Sequence, residues 1–179
     1  MAGIAFVIAK KTAMESIKGY QKRSFYLDLY NQYRYLEETG QTPLTPPVQV
    51  VYALRQAIRE YFEEGEVQRN LRYTKNAKVL RSGLVELGFS FLLREELESD
   101  ILLTVLEPDN PNFNFDRMHD YLYQRGFTIY PGKIRQKSFR LATMGAIYPE
   151  DILAFLQTMK QYLEEDVVQL KPVPGTGLR

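Results

Sequence analysis

The chain has 179 residues, of which 45% are apolar and 25% charged, the balance of a packed globular domain rather than a disordered or fibrous chain. Its formal net charge is +1 with both signs interspersed, which leaves no electrostatic footprint for DNA, RNA or an anionic membrane. Cysteine is absent, which excludes disulfides, thiolate metal sites and a cysteine nucleophile.

Gly3 to Ala9 (GIAFVIA) is a short apolar run stopped by Lys10 and Lys11; it predicts a fully buried strand that reaches the surface abruptly. Such a strand needs neighbours on both sides, so the reading expects missing chain upstream. The order apolar-then-basic is also wrong for a secretory signal, and no apolar run approaches the roughly 20 residues that cross a bilayer. A cytoplasmic protein is the simplest expectation.

Tyr26 to Glu38 predicts a tyrosine-rich helix closed by Gly40. In the proline-rich stretch Gln41 to Val48, Thr45 is expected as an N-cap just before Pro46. A long helix should follow, with Val48, Val51, Tyr52, Ile58 and Phe62 near one face and Gly65 as its stop. A second helix is expected from about Glu66 to Leu87, striped by Leu80, Leu84 and Leu87 and closed by Gly88.

Beyond Gly88 the pattern shortens. Strands are expected at Phe89 to Leu93 and Ile101 to Leu106, then a turn-rich stretch, Glu107 to Asn112. A short helix follows at Phe115 to Arg125, then a strand at Thr128 to Tyr130, a Pro131-Gly132 turn and a strand at Phe139 to Met144. Pro149 to Leu163 closes the series as a helix burying Ile152, Phe155, Leu156, Met159 and Leu163. This order describes a compact α+β unit with helices on one sheet face, and the tail from Lys171 shows no periodicity.

Few residues carry chemistry. The single histidine, His119, has no partners at ligand or triad spacing and reads as an ordinary surface residue; no metal site is expected. The acidic runs Glu63-Glu64 and Glu164-Glu165-Asp166 sit at helix ends and read as solvated. No GxGxxG, P-loop or GxSxG motif is present. Arg140 stands inside an apolar strand, where a guanidinium either points to solvent at an exposed edge or pairs with a carboxylate or phosphate. Thr45 is open in the same way: a cap for backbone donors, or a hydroxyl that meets a phosphate group.

Five segments together, GIAFVIA (3–9), RSFYLDLYNQYR (23–34), TPPVQVVYALR (45–55), TIYPGK (128–133) and FRLATMG (139–145), resemble the second half of pyridoxal-phosphate-dependent fold type I (class V) aminotransferases. Within that family the LDLY segment with Arg34, the IYPGK segment and the FR pair resemble the 2-aminoethylphosphonate–pyruvate transaminase branch. The resemblance implies an α/β enzyme: 1–44 a remnant of the large cofactor-binding domain, 45–170 the linking helix and α+β small domain, and 171–179 a flexible tail. It implies pyridoxal 5'-phosphate as cofactor, 2-aminoethylphosphonate and pyruvate as substrates, and a homodimer.

Position by position, Arg140 matches the arginine that grips the substrate carboxylate, and Thr45 matches a threonine that reaches the cofactor phosphate of the partner subunit. The cofactor-bearing Schiff-base lysine of the family lies in an Asn-Lys segment before the first strand. Lys10 and Lys11 follow that strand and do not match it, so no catalytic residue is expected in this chain. Ala142 stands where many relatives have glycine and Thr42 where several have an aromatic residue, which leaves substrate choice open. The alternatives are a non-catalytic binding module derived from such a small domain, and a fragment of an alanine–glyoxylate-like aminotransferase.

Overall fold

In the computed structural model of the chain, residues 3–166 are described; the tail expected to be flexible, 171–179, lies outside them. The chain divides into two units, Met1–Glu63 and Glu64–Arg179.

The first unit holds α1 (Lys11–Ser16), α2 (Leu29–Thr39) and most of α3 (Val48–Glu64). Helix α2 begins at Leu29 rather than the expected Tyr26, because Asp28 accepts a hydrogen bond from the Asn31 amide at 2.9 Å and caps it there, and it ends as expected at Gly40, whose φ of 66° is left-handed. Two further expectations are corrected here. Gly3 to Ala9 is neither a strand nor buried: it has no ladder partner among the described residues, and Phe6 is 76% and Ile8 91% exposed. A strand exists only through its neighbours, and apolar character alone cannot supply them. Thr45 is not an N-cap either, because α3 starts at Val48 and the Thr45 hydroxyl caps no amide. The two prolines in succession, Pro46 and Pro47, push the first helical turn beyond threonine's reach. Helix α1, a single short turn and a half, is not foreshadowed by any apolar period.

The second unit follows the expected order closely. Gly65, with φ 84°, breaks α3 from α4 (Glu66–Glu86), a conformation that side chains resist. Then come β1 (Ser90–Phe91), β2 (Leu102–Leu106), α5 (Phe115–Tyr123), β3 (Tyr130–Pro131), β4 (Ser138–Ala142) and α6 (Pro149–Glu165). The strands form one antiparallel sheet in the order β1-β2-β4-β3. The turn expected at Pro131-Gly132 lies later, because Pro131 is still paired with Phe139 and the Gly132 amide donates to the Ser138 carbonyl at 2.7 Å. A Cβ at Gly132 would sit 2.8 Å from that same carbonyl oxygen, so only glycine permits the approach.

Alternation sorts the two faces of the sheet. Leu103 and Val105 of β2 pair in register with Leu141 and Phe139 of β4 and are buried. On them pack Leu80 and Leu84 of α4, Met118 and Leu122 of α5, and Ile152, Phe155 and Met159 of α6. Phe89 meets Phe139 edge to face, centroids 5.7 Å apart. Each such fully buried side chain contributes about 1.5–3 kcal/mol relative to exposure, which makes this unit the mechanical base for whatever the opposite sheet face presents.

Candidate functional site

That opposite face carries Arg140. Phe139 and Leu141 on either side of it are buried, so the pleat turns Arg140 away from the core, where it is half-buried. Strand β4 lies between β2 and β3, so Arg140 is not on an edge strand, its backbone being paired on both sides, with Thr104 and with Tyr130; its side chain nonetheless faces away from the core, as alternation predicts. The Arg140 Nε–H donates to the Pro131 carbonyl at 3.2 Å. This bond holds the guanidinium, and neither Nη group has a hydrogen-bond partner among the described residues. No carboxylate among the described residues pairs with them.

The loop that follows β4 is anchored from α4 by a group of polar side chains. Arg72 donates through Nη1 to the carbonyls of Gly145 (2.7 Å) and Ile147 (3.0 Å), and through Nε and Nη2 to the two Glu64 oxygens (2.6 and 2.9 Å). Its guanidinium lies over the rings of Tyr73 and Tyr148, 4.9 and 5.0 Å from their centroids. The Tyr73 hydroxyl accepts from the Gly145 amide at 3.2 Å, and Asn76 Nδ2 donates to the Ile147 carbonyl at 2.8 Å.

Hydrogen bonds from Arg72 and then Arg69 hold the Glu64 carboxyl down to about 2, and Glu64 in turn raises Arg72 above its ordinary value. The reading of Glu64 as a solvated helix end is therefore corrected: Arg69 and Arg72 in the first turns of α4 reach back to its carboxylate. Glu165 and Asp166 are engaged too, by the Tyr121 hydroxyl at 3.0 Å and Arg117 at 3.4 Å.

The sequence alone did not reveal this group. The one available signal was an acidic residue followed at five and eight positions by arginine across a glycine. The carbonyl partners on the loop lie more than seventy residues away and have no sequence signature.

Thr45 belongs to the first unit and Arg140 to the second. Thr45 lies in an extended, proline-flanked stretch, exposed, with its hydroxyl unbonded among the described residues. It therefore has a donor and an acceptor to offer a phosphate group. Its neighbour Thr42 is already committed, donating to the Leu44 carbonyl at 2.7 Å, and Ala142 is exposed at the end of β4. Lys10 and Lys11 stand exposed at the start of α1. His119 contacts Asp120 at 3.0 Å and stacks on Tyr123, and among the described residues no three His, Cys, Asp or Glu side chains gather to hold a metal ion. The residues in register with Arg140 are Thr104 and Tyr130, neither a carboxylate nor an imidazole; the arrangement offers hydrogen-bond donors that can bind and orient an anion.

No family model matches the chain. It is 40% identical over 161 residues to the 2-aminoethylphosphonate–pyruvate transaminase of Syntrophobacter fumaroxidans, an alignment covering 88% of this chain and 43% of that protein. The fold is similar to that of pyridoxamine–pyruvate aminotransferase from Mesorhizobium loti, at TM-score 0.76 and 20% identity over 91% of this chain and 43% of that one. It is also similar to alanine–glyoxylate aminotransferase from Nostoc sp., at TM-score 0.70 and 23% identity over 86% of this chain and 42% of that one. The chain thus spans less than half the length of the curated relatives it matches, and its fold is that of part of a fold type I aminotransferase.

Proposed function

We propose that this chain, which matches the 2-aminoethylphosphonate–pyruvate transaminases over 88% of its length, is the C-terminal part of a pyridoxal-phosphate-dependent aminotransferase. The complete enzyme moves the amino group of 2-aminoethylphosphonate to pyruvate, giving phosphonoacetaldehyde and alanine, and acts as a cytoplasmic homodimer. In this reading residues 1–44 derive from the large cofactor-binding domain, and 45–170 form the linking helix and small domain.

One observation carries the proposal within the chain: a guanidinium fork on an interior strand, oriented by its own hairpin and unpaired with any carboxylate among the described residues. Arg140 grips the carboxylate of pyruvate and alanine through two parallel hydrogen bonds, which fixes the reacting carbon relative to the rest of the site. Thr45 holds the cofactor phosphate through its free hydroxyl. Pyridoxal phosphate, when bound, supplies the electron sink for transfer of the amino group. The core beneath β4 keeps the fork from drifting, since Phe139 and Leu141 are both buried.

Neither Lys10 nor Lys11 matches the position of the family's cofactor-bearing lysine, so the chain by itself turns nothing over. Adding pyridoxal phosphate, reducing with borohydride and mapping the product tests this. A single stoichiometric adduct on one lysine, with turnover of 2-aminoethylphosphonate and pyruvate, overturns it. In the catalytically complete enzyme, Arg140→Lys keeps the charge but loses the fork, and efficiency falls by the equivalent of about 1.5–3 kcal/mol, one to two decades. The cofactor's absorption titration stays unchanged. Undiminished efficiency, or selective loss of cofactor, removes Arg140 from the clamp.

A further inference from the structure

Arg140 does not stand alone on its sheet face. Its partner in register on β2 is Thr104 and its partner on β3 is Tyr130. Thr104 lies between buried Leu103 and Val105, and Tyr130 follows buried Ile129, so alternation turns both side chains to the face that Arg140 occupies. Directly opposed residues of an antiparallel pair hold their Cβ atoms about 4.5–5.5 Å apart. The three therefore form one row across β3, β4 and β2: a phenol, a guanidinium and an alcohol. Neither hydroxyl has a hydrogen-bond partner among the described residues, and Tyr130 is 61% exposed. Lys133, Arg135 and Lys137 share the hairpin with Arg140, no acidic residue stands between Phe127 and Pro149 in the sequence, and Glu107 adjoins the hairpin at Lys137 from the end of β2.

The two substrates of the proposed reaction differ in the shape of their anionic group. A carboxylate is planar and its two oxygens are satisfied by the two arms of one guanidinium. A phosphonate is tetrahedral with three oxygens, so when two lie on the fork the third stands out of the guanidinium plane, toward a neighbouring strand. We propose that Thr104 and Tyr130 are specificity-determining residues that donate to this out-of-plane oxygen, so that the row as a whole accepts an alkylphosphonate in preference to a carboxylate. The inference rests on the reading of Arg140 as the substrate fork. It adds a reason why one site serves both half-reactions: the carboxylate uses the centre of the row, and the phosphonate uses the centre and its flanks.

The test uses the full chain and two probes, methylphosphonate and acetate, titrated while the Arg140 Nε–H resonance and the Thr104 and Tyr130 signals are followed by NMR. The wild type is expected to prefer methylphosphonate. Thr104→Val and Tyr130→Phe, which keep strand-forming side chains of similar size, should each lower the methylphosphonate-to-acetate preference about ten- to hundredfold by removing one hydrogen bond to a charged acceptor. Thr104→Ser, retaining the hydroxyl, should keep the preference, and acetate binding should be the same in all three variants. An unchanged ratio in both Thr104→Val and Tyr130→Phe overturns the inference, as does a wild type in which neither probe shifts these signals. Arg140→Lys reports separately: it should weaken both probes. If it weakens both while the ratio is insensitive to the flanking variants, the fork stands and the row falls. Should Thr104→Val lose β2 amide protection, Tyr130→Phe on the outer strand decides alone.

Discussion

Helices α3 and α6 carry comparable apolar stripes at helical spacing, yet they end in opposite environments. On α6, Ile152, Phe155, Met159 and Leu163 are all at most 7% exposed, whereas on α3 Tyr52 is 64% and Phe62 75% exposed. No described residue of the first unit is buried, while the second unit has a continuous core. An amphipathic period shows that a helix has a face to bury; it does not supply the surface that buries it. In the second unit that surface is the sheet, with Leu103, Val105, Phe139 and Leu141 on one side.

This contrast can be broken by substitution. Leu84→Ala, at a fully buried site of α4, should cost about 2–5 kcal/mol in urea unfolding, because it removes apolar contact and leaves a cavity. Phe62→Ala should stay within about 0.5 kcal/mol. Equal costs would mean that α3's face is covered in solution.

A second effect is smaller. Gly83 on α4 faces Leu156 of α6 so closely that an added Cβ would overlap the leucine side chain. Gly83→Ala gains about 1 kcal/mol of helix propensity but overpacks the interface by about 1–3 kcal/mol, a net loss near 1 kcal/mol. Adding Leu156→Ala should recover part of the crowding cost.

Acid distinguishes the units in another way. The folded-state value of Glu64, about 2, lies below its ordinary 4.5. Its contribution is therefore present above the ordinary carboxylate range and is lost as pH falls from about 4.5 toward 2. Glu64→Gln should flatten the thermal midpoint against pH in that window and leave the neutral-to-alkaline limb parallel to wild type; an unchanged acid slope would place the hydrogen bonds elsewhere.

The least demanding test concerns Phe6 and Ile8, exposed beside one another in the first unit. Exposed apolar surface of this kind recruits another copy, so replacing both with serine should lower concentration-dependent light scattering. A strictly monomeric wild type would contradict this.

The order of elements after Gly65 was legible because each turn carries its own chemistry. Pro149 opens α6 and Gly65 parts two helices; the Asn114 side chain, which accepts from the Arg117 amide at 2.9 Å to start α5, is a local cap the sequence reading passed over. The stripes of α4 and α6 were legible for the same reason: they are local periods. From local chemistry Arg140 was legible only as a charge in an apolar strand with two explanations open; the role of substrate fork came from the family resemblance alone.

The sequence by itself determined where the chain turns, which faces are apolar and which arginine breaks a strand's pattern, because caps, prolines, glycines and periodicity act over a few residues. Only the tertiary structure decided that Gly3 to Ala9 has no ladder to join and that β4 is an interior strand. It also set Arg140 in register between Thr104 and Tyr130 and tied Arg72 to carbonyls on a distant loop. Strand neighbours and hydrogen-bond partners far apart in the chain are properties of pairing, and pairing between distant segments leaves no mark on either segment alone.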